Sequence, residues 1–303
     1  MRRLVFFLRA EYNKRSASPG RTEVAQNQSL IERGFCVGIL NRLQGWGEWL
    51  TRDPVGFVIY LIYFSAAILI TLVLHEVAHG YVAFRCGDPT AKMLGRLSLN
   101  PAKHLDPIGT ACLVFLGFGW AKPVPVNPRN FENYRRDDFL VSIAGVTVNF
   151  TLFLLSLALA VGLNGLLWNM DALMVYGYQP RDMISSDGIG FALLLSGNGS
   201  LATEWMHTPW LQHVQRFLLL FSMMNLSVAV FNLLPIPPLD GFHVLNDIFL
   251  KGKLSLNPQV FQMTRMILMF LMFSGALGRV MSSVTGVIEN SVLNIFLMLS
   301  GQA

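Results

Sequence analysis

The sequence predicts an all-α polytopic membrane protein with about five or six transmembrane helices. Charged residues make up only 14% of the 303 residues, whereas about 25% is usual in soluble domains. Three long runs contain no charged residue, and a helix of about 20 residues is enough to cross the hydrocarbon core of a bilayer. These uncharged runs are residues 55–74, 139–170 and 217–239.

Two further apolar runs, residues 260–277 and 280–299, are weaker candidates for transmembrane helices because Arg265 and Glu289 interrupt them. The apolar run 108–120 holds 13 residues, which is too short to cross a bilayer as a helix. We therefore expect it to form a re-entrant segment, which a membrane tolerates where protein surrounds the segment.

Proline-containing stretches lie on both sides of that re-entrant run. Residues 94–101 and 122–128 alternate polar and apolar side chains, and their prolines exclude central strands, so any strands here would lie at an edge. We expect short edge strands near the active site, at residues 94–99 and 124–126. An edge of this kind can hold an extended peptide by strand addition.

The N-terminal region differs from the rest of the chain. Residues 1–30 have the composition of a polar tail, and residues 31–52 mix apolar side chains with three arginines, which predicts an amphipathic helix at the membrane interface. We therefore divide the chain into residues 1–53, the tail and interfacial helix, and residues 54–303, the membrane domain. The net charge is +5, but the basic residues flank membrane segments and form no single patch, so no nucleic-acid partner is expected.

A metal-binding motif directly follows the first uncharged run, where residues 75–79 read His-Glu-Val-Ala-His. Histidines four residues apart project from one face of a helix, so His75 and His79 can both reach one zinc ion. Glu76 lies beside the first histidine and is the predicted general base, able to take a proton from a water molecule at the metal. Ionisable residues on an apolar helix are costly in a membrane unless they serve a site. A satisfied buried histidine pair is the alternative.

A catalytic zinc site needs a third protein ligand and an open position. Asp240 ends the uncharged run 217–239, within the sequence Asn-Leu-Leu-Pro-Ile-Pro-Pro-Leu-Asp-Gly of residues 232–241. The prolines break the helix and Gly241 permits a tight turn, which can direct the carboxylate of Asp240 toward the interior of the bundle. The alternative role for Asp240 is a helix cap beside a loop.

The two motifs together resemble the site-2 protease family of intramembrane zinc metalloproteases, in particular its compact prokaryotic branch. In that family a His-Glu-x-x-His helix is completed by the aspartate of an Asn-x-x-Pro-x-Pro-x-x-Asp-Gly segment. The resemblance covers residues 55–250 and implies a peptidase with one zinc ion per chain. It also implies a lipid bilayer as the environment and transmembrane proteins as substrates, cut in or near their membrane segments.

The resemblance also suggests roles for residues outside the predicted ligand set. Asn232 would polarise or hold the scissile carbonyl, as an amide donor can stabilise a developing oxyanion; a hydrogen bond within the helix bundle is the alternative. The family's third span reads Ala-Gly-Pro with an Asn three positions on, whereas this chain has Val146 after Gly145 and retains Asn149. His243 could contact a ligand or lie at the interface without a metal role, and His104 with Asp106 is expected to anchor the loop to the membrane surface.

Two other functions fit parts of this pattern. A non-hydrolytic zinc-binding regulator or scaffold would use the ligands but has no need of Glu76. An ion transporter would spread polar residues along several spans, whereas here they converge at one depth.

Shared metal binding constrains the topology. The ends of the first span and of span 217–239 must lie at one depth, which requires that run 108–120 makes no net crossing. Residues 85–136 carry eight Lys or Arg, whereas residues 171–210 carry one Arg and four acids, so the positive-inside rule places the zinc toward the cytosol, in the cell (inner) membrane. Residues 1–54 carry nine basic residues and would lie outside unless the tail adds a crossing or re-enters.

Overall fold

The computed structural model describes residues 39–116, 119–195, 203–250, 257–273 and 276–302. Within these residues we label the helices of ten residues or more in chain order. They are α1 (Ile39–Arg52), α2 (Pro54–Arg85), α3 (Pro107–Leu116), α4 (Tyr134–Leu167), α5 (Leu211–Asn232), α6 (Asp240–Phe249), α7 (Pro258–Phe273) and α8 (Ala276–Leu299). Shorter helical segments are Thr90–Met93, Pro101–Lys103, Pro128–Asn130, Met170–Met174, Pro180–Ile184 and Ile189–Leu195.

Four of the described helices are long and apolar enough to cross a membrane: α2, α4, α5 and α8. Helix α2 contains the uncharged run 55–74, α4 and α5 contain most of the runs 139–170 and 217–239, and α8 contains the run interrupted by Glu289. Helix α7 has 16 residues, fewer than the roughly 20 that a straight crossing needs. The described part of the chain is therefore a multi-pass membrane protein with four candidate spans, where the sequence predicted five or six.

Helices α1 and α2 meet at Asp53. Its carboxylate accepts a hydrogen bond from the backbone N–H of Gly56 at 2.9 Å, and Pro54 begins α2, so the helix starts with a side-chain cap and a proline in its first turn. Helix α1 folds against this start because the rings of Trp46 and Trp49 each lie 5.6 Å from the ring of Phe57. The predicted tail at residues 1–30, and residues 31–38 of the predicted interfacial helix, lie outside the described residues.

Helices α2, α4 and α5 pack against one another and form the centre of the bundle. Their buried apolar side chains make one continuous core, to which α8 adds Leu293 and Leu297. Among the core residues are Phe64 and Ile68 of α2, Phe153 and Leu157 of α4, and Leu220 and Leu226 of α5. This three-helix arrangement brings the ends of α2 and α5 together beside α4.

The segment between α2 and α4 forms a hairpin around α3. Leu105 and Ala121 form an antiparallel bridge, and the N–H of Lys122 donates to the carbonyl of His104 at 2.8 Å. The two ends of the apolar run therefore meet, as a re-entrant segment requires.

The described residues contain isolated bridges but no sheet, so the edge strands predicted at residues 94–99 and 124–126 are not formed. The donors that a strand would offer are used elsewhere, since the N–H of Val124 binds the Glu76 carboxylate at 2.8 Å. The N–H of Asn127 binds the Asp88 carboxylate at 2.7 Å.

Candidate metal centre

Two imidazoles from one face of α2 begin the site. His75 and His79 lie one turn apart, and their Nε2 atoms are 3.0 Å from each other. His75 is 5% exposed, so its ring lies almost entirely inside the bundle. The sequence spacing therefore produces the paired nitrogen donors that it predicted.

Asp240 completes the cluster from the junction of α5 and α6. Helix α5 ends at Asn232 and α6 begins at Asp240, with a turn between them that contains three prolines. A side chain at Gly241 would place its Cβ 2.3 Å from the carbonyl oxygen of Leu233, so this tight turn requires glycine. The turn brings the Asp240 Oδ2 atom to 3.3 Å from both histidine Nε2 atoms.

The donor atoms of this cluster fit a tetrahedral zinc ion. Bonds of roughly 2.0–2.2 Å to a tetrahedral zinc separate its ligand atoms by about 3.3 Å, close to the three separations found here. Oδ2 of Asp240 is buried and accepts no hydrogen bond from the described residues, which is costly for a carboxylate without a partner. A zinc ion would provide that partner.

The two histidines also affect the titration of the Asp240 carboxylate. Burial by itself would raise its pKa, but the adjacent His75 and His79 side chains hold the pKa well below the ordinary value for aspartate. Among the described residues, His75, His79 and Asp240 are the set of potential ligands whose donor atoms all lie within 4.8 Å of one another.

Helix α4 presents a stripe of three residues, spaced by four, to the imidazoles. Nδ1 of His79 lies 2.7 Å from the carbonyl oxygen of Val141 and can donate to it, which leaves Nε2 free for a metal. One turn later, a Cβ added to Gly145 would lie 2.5 Å from both His75 Cε1 and His79 Nε2. Another turn on, the side chain of Asn149 lies 3.1 Å from His75 Nδ1. Glycine at position 145 thus allows α4 to pass directly against both rings.

Glu76 contacts the loop that precedes α4. Its Oε2 atom accepts the hydrogen bond from the backbone N–H of Val124. The loop is held in turn by Asp88, which is fully buried and accepts hydrogen bonds from the Asn127 N–H and the Asn130 side chain, both at 2.7 Å. The backbone N–H of Val124 therefore orients the Glu76 carboxylate, and Asp88 holds the loop that carries this N–H.

The sequence profile described as peptidase family M50 matches residues 63–275 of this chain. The matched region is more than two thirds of the sequence and contains both motifs of the candidate site. The chain belongs to peptidase family M50. It is an intramembrane zinc metalloprotease of the site-2 protease type, as the two motifs predicted.

Two related proteins support the assignment of this chain to the M50 family. The chain is 35% identical over 199 residues to the inferred zinc metalloprotease YwhC of Bacillus subtilis, covering 66% of this chain and 73% of that protein. It is 26% identical over 235 residues to the inferred zinc metalloprotease Rip2 of Mycobacterium tuberculosis, covering 74% and 73% of the two chains. No solved structure matches the chain.

The structure gives the contacts of the other predicted residues of the M50 peptidase. Asn232 ends α5, and its Nδ2 donates to the Val228 carbonyl of the same helix at 3.0 Å. His243 lies one turn beyond Asp240, with Nδ1 3.3 Å from Asp138 Oδ2. His104 is 1% exposed, and its Nε2 lies 2.7 Å from the Ser98 carbonyl. The prediction that it anchors the loop to the membrane surface is therefore wrong, because its ring is buried and pairs within the loop.

Sequence reasoning missed the contacts of four residues at the M50 site: Val124 and Asp88 on the side of the base, and Gly145 and Asn149, noted only as parts of a signature, on the side of the ligands. The two loop contacts have no sequence signature, because one is a backbone donor and the other an ordinary aspartate after a helix. The α4 contacts have a weak one, since Val141, Gly145 and Asn149 recur at a spacing of four in an apolar helix, and this spacing places residues on one face.

Proposed function

We propose that His75, His79 and Asp240 hold one zinc ion per chain and that Glu76 is the general base of peptide hydrolysis. The observation that carries the proposal is the convergence of three donor atoms from two distant chain segments, with separations of 3.0, 3.3 and 3.3 Å. Three protein ligands leave one position of a tetrahedral ion open for chemistry.

The protein groups then divide the proton transfers between them. A zinc ion bound at the site would lower the pKa of a water molecule and polarise the substrate carbonyl. Glu76 accepts the proton from the attacking water and passes it to the leaving amine nitrogen. The hydrogen bond from Val124 engages Oε2, so Oε1 is the oxygen that takes the proton.

We further propose that Asn232 holds the carbonyl of the bond that is cut. It ends α5, eight residues before Asp240, and its amide can exchange the hydrogen bond to Val228 for one to a substrate oxygen. An amide donor directed at a developing oxyanion stabilises the transition state more than the ground state.

The substrates that suit such a site are transmembrane proteins, because the proposed ligands lie among helices that are long and apolar enough to cross a membrane. A helical substrate must unwind locally before its carbonyl can be attacked, since its backbone groups are otherwise paired and shielded. We place the site toward the cytosol of the cell (inner) membrane, because residues 85–136 carry eight Lys or Arg. Residues 54–303 form the peptidase domain, and α1 lies before it at the membrane interface.

The test is a comparison of Glu76→Gln with the wild-type protein, by zinc content and by cleavage of a model transmembrane peptide. Glutamine keeps the shape of glutamate but cannot accept the proton, so we expect zinc to be retained and cleavage to fall by at least about 100-fold. Cleavage by this variant at the wild-type rate would overturn the assignment of the base. A wild-type protein that binds no zinc would overturn the metal site itself.

A further inference from the structure

Asn149 is a fully buried polar residue on the apolar helix α4. It is 0% exposed, although an amide in such an environment is costly unless it is hydrogen bonded. Its Nδ2 lies 3.1 Å from Nδ1 of His75, whereas its Oδ1 has no hydrogen-bond partner among the described residues. The Asn149 side chain therefore lies against His75, the first histidine of the zinc motif, and its acceptor oxygen has no donor among the described residues.

The tautomer of a zinc-bound His75 determines which atom of the Asn149 amide can pair with it. A neutral imidazole has one protonated nitrogen, so a histidine that binds a metal through Nε2 carries its proton on Nδ1. Nδ1 then requires an acceptor, and rotation of the Asn149 amide by about 180° exchanges Oδ1 with Nδ2 at almost the same positions. The rotated amide gives the oxygen a donor and the imidazole N–H an acceptor.

The second histidine has the equivalent arrangement in place. Nδ1 of His79 lies 2.7 Å from the Val141 carbonyl, two helical turns before Asn149 on the same face of α4. One ligand thus uses a backbone acceptor, which no substitution removes, and the other uses a side chain. Partners of this kind fix the tautomer and the ring orientation of metal-binding histidines.

We propose that Asn149 is a positioning residue for His75: its Oδ1 accepts the Nδ1–H hydrogen bond and holds Nε2 in the tautomer and orientation that bind zinc. This inference rests on the zinc site proposed above. It assigns to Asn149 a role in metal affinity and none in contact with substrate.

The experiment measures zinc affinity of the purified full-length protein by competition with a chelator, together with the absorption spectrum of the cobalt-substituted protein. Asn149→Leu removes the acceptor at similar size, and Asn149→Asp keeps an acceptor oxygen. The matched control is Asn225→Leu, because Asn225 is also 0% exposed on a candidate spanning helix, donates to the Phe221 carbonyl and has an Oδ1 without a hydrogen-bond partner among the described residues.

We expect Asn149→Leu to weaken zinc binding by about 10- to 100-fold and to alter the cobalt spectrum. Asn149→Asp should stay within about threefold of wild type, as should Asn225→Leu. If Asn149→Leu does not fold, Asn149→Ala makes the same comparison without added bulk.

Three results would overturn the inference: wild-type zinc affinity in Asn149→Leu or Asn149→Ala, equal losses in Asn149→Leu and Asn149→Asp, or an equal loss in Asn225→Leu. Failure of the wild-type protein to bind zinc would instead overturn the proposed function. The two failures are therefore distinguishable in one set of measurements.

Discussion

The two sides of the zinc motif on α2 are supported by different kinds of structure. The imidazoles of His75 and His79 face α4, a helix of 34 residues that supplies a carbonyl, a bare glycine and an amide in successive turns. Glu76 contacts a proline-containing loop, whose Val124 N–H donates to its carboxylate. The metal ligands are thus supported by a helix and the base by a loop.

This difference predicts that metal binding and base positioning are separable properties of the site. Helix α4 acts through close packing, so changes there should affect zinc affinity first. The loop acts through a single directed hydrogen bond, so changes there should affect turnover while zinc remains bound. The substitutions below test that separation, from the largest expected effect to the smallest.

Gly145→Ala should have the largest effect, because its new Cβ would lie 2.5 Å from atoms of both imidazoles. One ring must move or α4 must shift, and overpacking of this kind costs about 1–3 kcal/mol. We expect most of the zinc to be lost and cleavage to fall by about 100-fold or more, measured by metal analysis and peptide cleavage. Gly162→Ala on the same helix is the control, since its Cβ meets nothing within 4 Å. Full zinc content in Gly145→Ala would contradict the close approach.

Val124→Pro removes the backbone N–H that donates to the Glu76 carboxylate, and so tests how the base is positioned. We expect zinc content to be unchanged and turnover to fall by about 10- to 100-fold, a part of what a general base contributes. Val124→Ala keeps the N–H and should remain within a few-fold of wild type. Equal losses in the two variants would assign the effect to the valine side chain and leave the hydrogen bond without a role.

Asp88→Ala should have a smaller effect of the same kind. Asp88 contacts the base only through the loop, by hydrogen bonds from Asn127 and Asn130, so its loss loosens the position of Val124 without removing the donor. We expect a drop of about 3- to 10-fold in turnover, within what a misplaced catalytic group costs, and no change in zinc affinity. A fall in zinc affinity equal to the fall in turnover would contradict the separation of the two sides.

The smallest effect concerns the attachment of α6, which carries Asp240, to α4. Asp247 of α6 is 2% exposed, and burial together with the neighbouring Asp138 carboxylate raises its pKa to about 6. Because this pKa exceeds the unfolded value of about 3.9, the contribution to stability is complete below pH ~4 and is lost as the pH rises through about 6. We expect Asp247→Asn to lack this part of the pH dependence of thermal unfolding. An unchanged pH profile would show that Asp247 does not titrate there.

The sequence was sufficient for the parts of the site that depend on side-chain identity and spacing. His75 and His79 could be paired from helical periodicity alone, and Asp240 followed from the need for a third ligand and from the proline-rich turn. The prediction of edge strands at residues 94–99 and 124–126 was wrong, because alternating side chains and prolines do not reveal where a backbone N–H donates. In this chain the N–H groups of Val124 and Asn127 bind carboxylates of α2 and of the residues after it.

The number of spans and the supporting contacts were harder to predict for a related reason. Because Arg265 and Glu289 interrupt the last two apolar runs, the sequence made both runs equally weak candidates for spans. The structure distinguishes them, since α8 is long enough to cross a membrane and α7 has only 16 residues. The close approach at Gly145 depends on how α4 packs against α2, and a single sequence records no such distance.

The hydrogen bonds of Asp88 have a mechanical consequence for the chain between α2 and α4. The bond to Asn130 closes a loop between residues 42 positions apart, and the bridge of Leu105 with Ala121 closes a second loop inside it. Two nested closures decouple what happens within the inner one from the outer one, because the junction of the outer loop does not depend on the conformation of the inner loop. Val124, whose N–H donates to Glu76, lies outside the inner loop and inside the outer one, so the closure that fixes its position is the one made by Asp88.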